Sequence, residues 1–383
     1  MEYREIAPGV RAGAVGLGTE QLDGQPYERV KEVIDAAFER DMNCMDLFMP
    51  GAEVRENIGR ALGRRRKDFI IQGHIGSTDV GQQYDISRDP PTCAKYFEQL
   101  LRALRTDYID IGMCFFVDSD KDFRDVFDTG FIDYVLRLRR EGKIRLIGAS
   151  SHNPVTARRV VETGLVETLM FSVNPAFDSV PPAANVIGDF GEDFSGFGGK
   201  IGGINPVRAE LYALCEARGV AVTTMKTLGA GLLISPERTP FSRPLTVGQC
   251  IHYALNRPAV KSALIGCRSR AEVEEAARYF SLSDEERDYT GVIASPQSDL
   301  TGRCVYCGHC APCPSGIDVA AVHRYLDVAR LTPGQVPAAA AAHYRALRHG
   351  GAACVECGSC ESRCPFGVPV MEDMKEAARV FGA

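Results

Sequence analysis

Eight of the chain's 14 cysteines fall between Cys304 and Cys364, in two runs whose spacing suits metal chemistry. The first run is Cys304-x2-Cys307-x2-Cys310-x2-Cys313-Pro314, and the second is Cys354-x2-Cys357-x2-Cys360-x3-Cys364-Pro365. Three thiolates spaced three residues apart on a tight loop can take successive corners of an iron–sulfur cubane. The fourth cysteine, followed by proline, serves the other cubane where two are bound. The spacing therefore predicts two [4Fe–4S] clusters, one on Cys304, Cys307, Cys310 and Cys364, the other on Cys354, Cys357, Cys360 and Cys313. Zinc sites built from four cysteines use two separated pairs rather than a run of four. The first run departs from the iron–sulfur pattern by having two residues before its last cysteine. Gly308 and Gly358, inside the loops, let backbone N–H groups approach the sulfurs and tune their potential. The other six cysteines, Cys44, Cys93, Cys114, Cys215, Cys250 and Cys267, stand singly and are expected in the core.

The elements that must position these groups read as two domains. From residue 14 to about 280, short apolar runs alternate with amphipathic ones. The strand candidates are Ala14–Gly18, Asn43–Phe48, Phe69–Gly73, Tyr108–Phe116, Ile144–Ser150, Thr168–Val173, Val220–Met225 and Ser262–Gly266. Between them the 3.6-residue period predicts helices over Pro26–Arg40, Glu53–Gly63, Cys93–Arg105, Phe123–Arg140, Val155–Glu162, Pro206–Arg218, Val247–Leu255 and Arg270–Tyr279. Eight strand–helix units fit an α/β fold, a TIM (β/α)8 barrel, better than a doubly wound sheet. Gly16-Leu17-Gly18 lacks the third glycine of a dinucleotide-binding turn. The glycine-rich run 178–205 after the sixth strand reads as either a pocket lid or a surface excursion. Past residue 290 the composition changes, and helices over Val319–Arg330 and Ala338–Leu347 join the cysteine runs. The expected domains are 1–290, the barrel, and 291–383, a small helical iron–sulfur domain.

Composition narrows the function classes. The net charge of -6 gives no reason to expect nucleic acid as a partner. The amino terminus, MEYREIAPGV, is not a signal peptide, and no apolar stretch reaches the length of a membrane span. A cytoplasmic protein with reduced thiols is expected.

The barrel portion resembles the aldo-keto reductases, and the whole chain resembles bacterial members with a C-terminal ferredoxin-like 4Fe–4S extension. The resemblance rests on GLGT (Gly16–Thr19), NCMDLF (Asn43–Phe48), ENIGRAL (Glu56–Leu62), DYIDIGM (Asp107–Met113), GKIRLIGASSH (Gly142–His152), GVAVTTMKTLGAG (Gly219–Gly231) and ALIGCRS (Ala263–Ser269). It implies reduction of a small-molecule carbonyl by NADPH, with a tyrosine as acid, a lysine and an aspartate tuning it, and a histidine orienting the substrate oxygen. Only the aspartate carries over, as Asp46. The tyrosine position holds Gly51, the lysine position His74 and the histidine position Phe115. The nicotinamide positions read Ser150 and Ser151 after strand five, Ser172 on strand six, and Met225 with Lys226 on strand seven. Arg268 and Arg270 stand where a cofactor phosphate would meet the eighth strand's loop.

Asp46 and His74 make a carboxylate–imidazole pair suited to acid–base work near neutral pH, and His152 is a third candidate at the mouth. The leading reading is an iron–sulfur oxidoreductase that acts on a small organic molecule and draws electrons from two [4Fe–4S] clusters, with a redox protein as partner. Also open are an NADP(H)-dependent reductase with His74 as the acid, a non-catalytic electron-transfer or assembly subunit, and a non-redox lyase or hydrolase reusing the pocket.

Overall fold

The computed structural model describes residues 1–79, 84–179, 204–294, 302–330, 334 and 336–382. Within them the strands run β1 (Tyr3–Ala7), β2 (Val10–Gly13), β3 (Val15–Gly18), β4 (Cys44–Leu47), β5 (Ile70–Ile75), β6 (Ser77–Asp79), β7 (Tyr84–Ile86), β8 (Ile109–Cys114), β9 (Ile144–Ser151), β10 (Thr168–Ser172), β11 (Ala221–Met225) and β12 (Val260–Gly266). Eight of these close a barrel in the order β10-β11-β12-β3-β4-β5-β8-β9. They are the eight strands read from the sequence, and the (β/α)8 expectation holds. The lid candidate at 178–205 falls largely on residues 180–203, outside the described residues.

The chain divides into two compact units. The first comprises Met1–Val173, Ala221–Thr227 and Lys261–Ser281, and carries the barrel. Its inward side chains alternate along the strands, as a pleated backbone requires. Cys44, Ile70, Ile111, Leu146, Ala221 and Leu264 belong to one buried apolar cluster. Ile6, Ala7, Val10 and Ala12 of the β1–β2 hairpin join that cluster. Because Cys44, Ile70 and Ala221 are the first residues of their strands, the hairpin plugs the N-terminal end of the barrel. The open mouth is therefore at the C-terminal ends, where barrels of this type place their chemistry.

One expected helix is two. In place of Phe123–Arg140 the chain forms Asp120–Phe127 and Gly130–Arg140. Thr129 is extended between them, and its hydroxyl accepts from Phe131 N, so it caps the second helix.

The second unit comprises Asn174–Val220, Leu228–Val260 and Leu282–Ala383. Here the helices Pro206–Arg218 and Val247–Leu255 sit with Val319–Arg330, Ala338–Arg345 and Val370–Phe381. Ala213, Val328 and Ala340 make a small apolar core between three of them. His343 bonds the buried Glu216, whose other oxygen accepts from Ala259 N at 2.8 Å. Tyr344 stacks on Phe381 with ring centroids 4.0 Å apart. Asp178, wholly buried, accepts from Tyr212 Oη at 2.6 Å, Tyr253 Oη at 2.8 Å and Arg208 Nε at 2.8 Å. Both carboxylate oxygens are thereby bonded and the charge is matched by Arg208.

Candidate functional site

At the barrel mouth, Asp46, Gln72, His74, Phe115, Ser150, Ser172 and Met225 occupy the same alternate positions as the inward-facing residues beneath them. Asp46 and His74 are nearly inaccessible, and His74 Nε2 lies 2.8 Å from Asp46 Oδ1. Gln72 Nε2 donates to the same oxygen at 3.2 Å. An ionised Asp46 can only accept, so Nε2 is the donor, and a ring with one proton has its lone pair at Nδ1. Among the described residues that Nδ1 is buried without a partner. The ring is boxed by aromatics, edge-on to Phe115 at 5.2 Å and to Phe48 at 6.0 Å. Phe48 and Phe115 stack on each other at 6.0 Å.

A second carboxylate–imidazole pair stands nearby. His152 Nδ1 is 2.9 Å from Asp118 Oδ2, while His152 N and Ser151 Oγ donate to Asp118 Oδ1 at 2.6 and 3.0 Å. Burial alone would raise the Asp118 carboxyl, but these bonds and the His152 charge together hold it below the usual carboxylate range. Phe116 bridges the pairs, with ring centroids 5.5 Å from His152 and 5.9 Å from Phe115. The sequence reading found His152 but missed Asp118, three residues beyond Phe115.

The remaining mouth positions have partners of their own. Ser150 Oγ accepts from Phe116 N at 2.9 Å, so both serines brace the 115–118 loop. Ser172 is buried and Met225 packs on the barrel's apolar cluster. Lys226 has φ +57 and lies 4.0 Å from Glu20. Arg270 pairs with Glu39 at 2.6 Å, while Arg268 is exposed beside it. Cys44, below Asp46, is pushed up to about 12 chiefly by burial, and the other five lone cysteines are buried too, as expected of core residues.

The cysteine loops repeat one backbone pattern. Tyr306 and Glu356, each directly before the second cysteine of its run, have φ of +59 and +54. Gly308 and Gly358, directly after that cysteine, have φ of +85 and +72. Alternating left-handed residues turn successive N–H groups into one concavity, an arrangement that holds anions and iron–sulfur clusters. Glu356 N already points at Cys354 Sγ, 3.4 Å away. Holding two non-glycine residues in this region costs about 1–3 kcal/mol each, which the surroundings must offset.

The fourth cysteine of the first run stands with the second run. Cys313 lines one pocket with Cys354, Cys357 and Cys360, against Ile317 and Met374. Burial pushes the Cys307 thiol up to about 11, and Cys364 of the second run is among the charges that add to the shift. Arg363 fastens the loops by donating to Cys310 O at 2.7 Å and Pro312 O at 2.8 Å. Among the described residues no three His, Cys, Asp or Glu side chains converge as one ion's ligands. Four soft thiols around one pocket are a donor set that suits a cubane.

Comparison with known proteins agrees with both halves. Residues 14–177 match the aldo/keto reductase family model, and residues 301–368 match the 4Fe–4S dicluster domain. The two matched stretches follow one another along the chain, the first similar to aldo/keto reductases and the second to 4Fe–4S dicluster domains. Solved aldo-keto reductases share the barrel. One from Bacillus halodurans in its holo form is 21% identical with a TM-score of 0.58, over 75% of this chain and 94% of its own. A putative one from Pseudomonas aeruginosa is 17% identical, with a TM-score of 0.55, over 73% and 95%. A glycerol dehydrogenase from Gluconobacter oxydans is 20% identical, with a TM-score of 0.51, over 73% and 90%. At these identities the likeness is one of fold. No curated protein matches the sequence. The combination is that of an oxidoreductase with iron–sulfur electron transfer. In the stretch that matches the aldo/keto reductase model, Gly51 opens the helix Ala52–Leu62 and Phe115 packs edge-on against His74. No helix among the described residues is long and apolar enough to cross a membrane.

Proposed function

We propose that the protein is an iron–sulfur oxidoreductase that binds a small organic substrate at the mouth of a barrel over residues 1–290. A ferredoxin-like segment over 291–383 would hold two [4Fe–4S] clusters, one on Cys304, Cys307, Cys310 and Cys364, the other on Cys354, Cys357, Cys360 and Cys313. The clusters, when bound, supply electrons one at a time. The observation that carries this reading is the shared pocket of Cys313 with Cys354, Cys357 and Cys360, the crossover expected of a two-cluster protein.

The barrel residues then supply everything except electrons. His74, held by Asp46 through Nε2, takes or gives a proton at Nδ1. Phe48 and Phe115 exclude water from that ring and form an apolar slot. Asp118 fixes the His152 ring through Nδ1, which leaves its Nε2 to meet a polar substrate group. No side chain here repeats the tyrosine–lysine pair of tyrosine-assisted NADPH reduction. That is the reason to route electrons through the clusters instead.

The test uses protein purified without oxygen. About eight irons per chain, and two interacting paramagnetic centres on reduction, are expected for two clusters. Titration with NADPH is expected to give neither saturable binding nor cluster reduction. Tight NADPH binding coupled to carbonyl reduction would overturn the reading in favour of a nicotinamide enzyme with His74 as its acid.

A further inference from the structure

We propose that Arg257 is the buried charge that raises the reduction potential of the cluster on the Cys304–Cys310 loop, an inference that rests on the two-cluster reading above. Arg257 is completely inaccessible. Its Nη2 donates to Val305 O at 2.6 Å and to Tyr289 Oη at 3.2 Å, and its Nε donates to Tyr253 O at 3.2 Å. Tyr289 Oη donates to the same Val305 carbonyl at 2.7 Å. The guanidinium lies 4.2 Å from the Tyr253 ring centroid and 4.9 Å from that of Tyr306. Val305 and Tyr306 are the two residues between Cys304 and Cys307, so the cation sits directly behind the first cluster-binding loop.

Every hydrogen-bond partner of this cation among the described residues is neutral, and among them Nη1 has none. The other two fully buried large cations differ in kind. Arg208 is matched by Asp178, and Arg55 donates to the carbonyls of Met49 and Tyr96, far in sequence from any cysteine run. A guanidinium taken out of water needs compensation, and ring faces with two carbonyls and a phenol oxygen supply only part of it. A cluster offers the rest when it gains charge. Reduction adds one electron to the cubane, from dithionite in the test below, with no bond to the protein made or broken. A fixed cation behind the loop favours the reduced form, because unlike charges attract strongly in a dry interior. The loop on Cys354, Cys357 and Cys360 carries Glu356 at the position of Tyr306, and that carboxylate pairs with Lys375 at 2.7 Å. The two clusters are thereby set at different potentials, with the first the easier to reduce.

Arg257→Gln keeps a donor for Val305 O without the charge, and Arg257→Lys keeps the charge. Both are made in the full chain, assayed for iron, and titrated with dithionite under paramagnetic resonance. In Arg257→Gln one of the two reduction waves is expected to move to more negative potential by about tenfold in equilibrium constant, ~59 mV for one electron. The other wave stays, and Arg257→Lys keeps both close to the parent. The proposal is overturned if fully loaded Arg257→Gln titrates like the parent, or if Gln and Lys shift alike. It is equally overturned if either variant loses iron, because Arg257 then braces the loop instead. About four irons per chain in the parent would sink the two-cluster reading separately, and Arg257 would still be tested on the single remaining wave.

Discussion

At the scale of single residues, the site is organised by two carboxylates that fix two imidazoles. Asp46 and His74 could be read from the sequence because each lies next to the C-terminal end of its strand, at a position aldo-keto reductases use for chemistry. Asp118 could not, because it lies on the loop after β8 and its imidazole is 34 residues away along the chain. Its environment makes a pH prediction. The folded carboxyl titrates below the unfolded value of about 3.9. The charged form is therefore favoured in the native state, and the associated stability is present above about pH 4. It drains away as the pH falls through the lower, folded value. Asp118→Asn is expected to cost about 1.5–3 kcal/mol at pH 7, the range for hydrogen bonds to a charged group. The gap to the parent protein should narrow as the pH is lowered from 7 toward 3.5. Urea midpoints followed by far-ultraviolet circular dichroism would check it, and a gap that widened in acid would contradict it.

At the scale of elements, the barrel strands were legible because buried parallel strands are short apolar runs bounded by helical periodicity. The break at Asp128–Thr129 was not, since the apolar stripe continues across it and only the cap chemistry of Thr129 interrupts the helix. The β1–β2 hairpin was also missed. Its strands are five and four residues long, too short for alternation to stand out. Two elements carry direct tests. Gly59, in the helix Ala52–Leu62, approaches the neighbouring helix so closely that an added Cβ would lie 1.9 Å from Ala103 O. A backbone carbonyl cannot swing aside as a flexible side chain would, so the helices must separate. Gly59→Ala is expected to destabilise by about 1–3 kcal/mol, the usual cost of overpacking. Ser119 opens the helix Asp120–Phe127 with a capping box, bonding Asp122 N at 3.1 Å while Asp122 Oδ2 accepts from Ser119 N at 2.9 Å. Ser119→Ala should cost about 1 kcal/mol. Thermal midpoints of both variants, with circular dichroism to show that the fold is kept, would rank the two effects.

At the scale of the whole molecule, the cysteine loops are embedded in a unit that reaches well beyond the C-terminal segment. Spacing alone revealed the loops. It could not reveal that helices of the barrel's sequence, Pro206–Arg218 and Val247–Leu255, share that unit, because such packing leaves no periodic signature. The coupling runs through named groups. Arg257 and Tyr289 hold the Val305 carbonyl, and Tyr306 Oη donates to Asp327 at 2.7 Å on the helix Val319–Arg330. Glu216 on Pro206–Arg218 bonds His343 of Ala338–Arg345. Binding free energy for metal is folding free energy wherever the ligand loops cannot hold their shape alone. Two non-glycine residues in two short loops, Tyr306 and Glu356, are held left-handed at a cost. Removing iron with a chelator under mild oxidation is therefore expected to raise amide exchange in 302–382. Through the bonds just named it should also raise exchange in Pro206–Arg218 and Val247–Leu255. The strands β4, β5, β8 and β9 lie in the other unit, and their exchange should hardly change. Hydrogen exchange by mass spectrometry on loaded and iron-free protein would decide it. Exchange rising in the cysteine loops alone would show that the two helices take no stability from the clusters, and a rise across the barrel strands would make the whole chain one cooperative body.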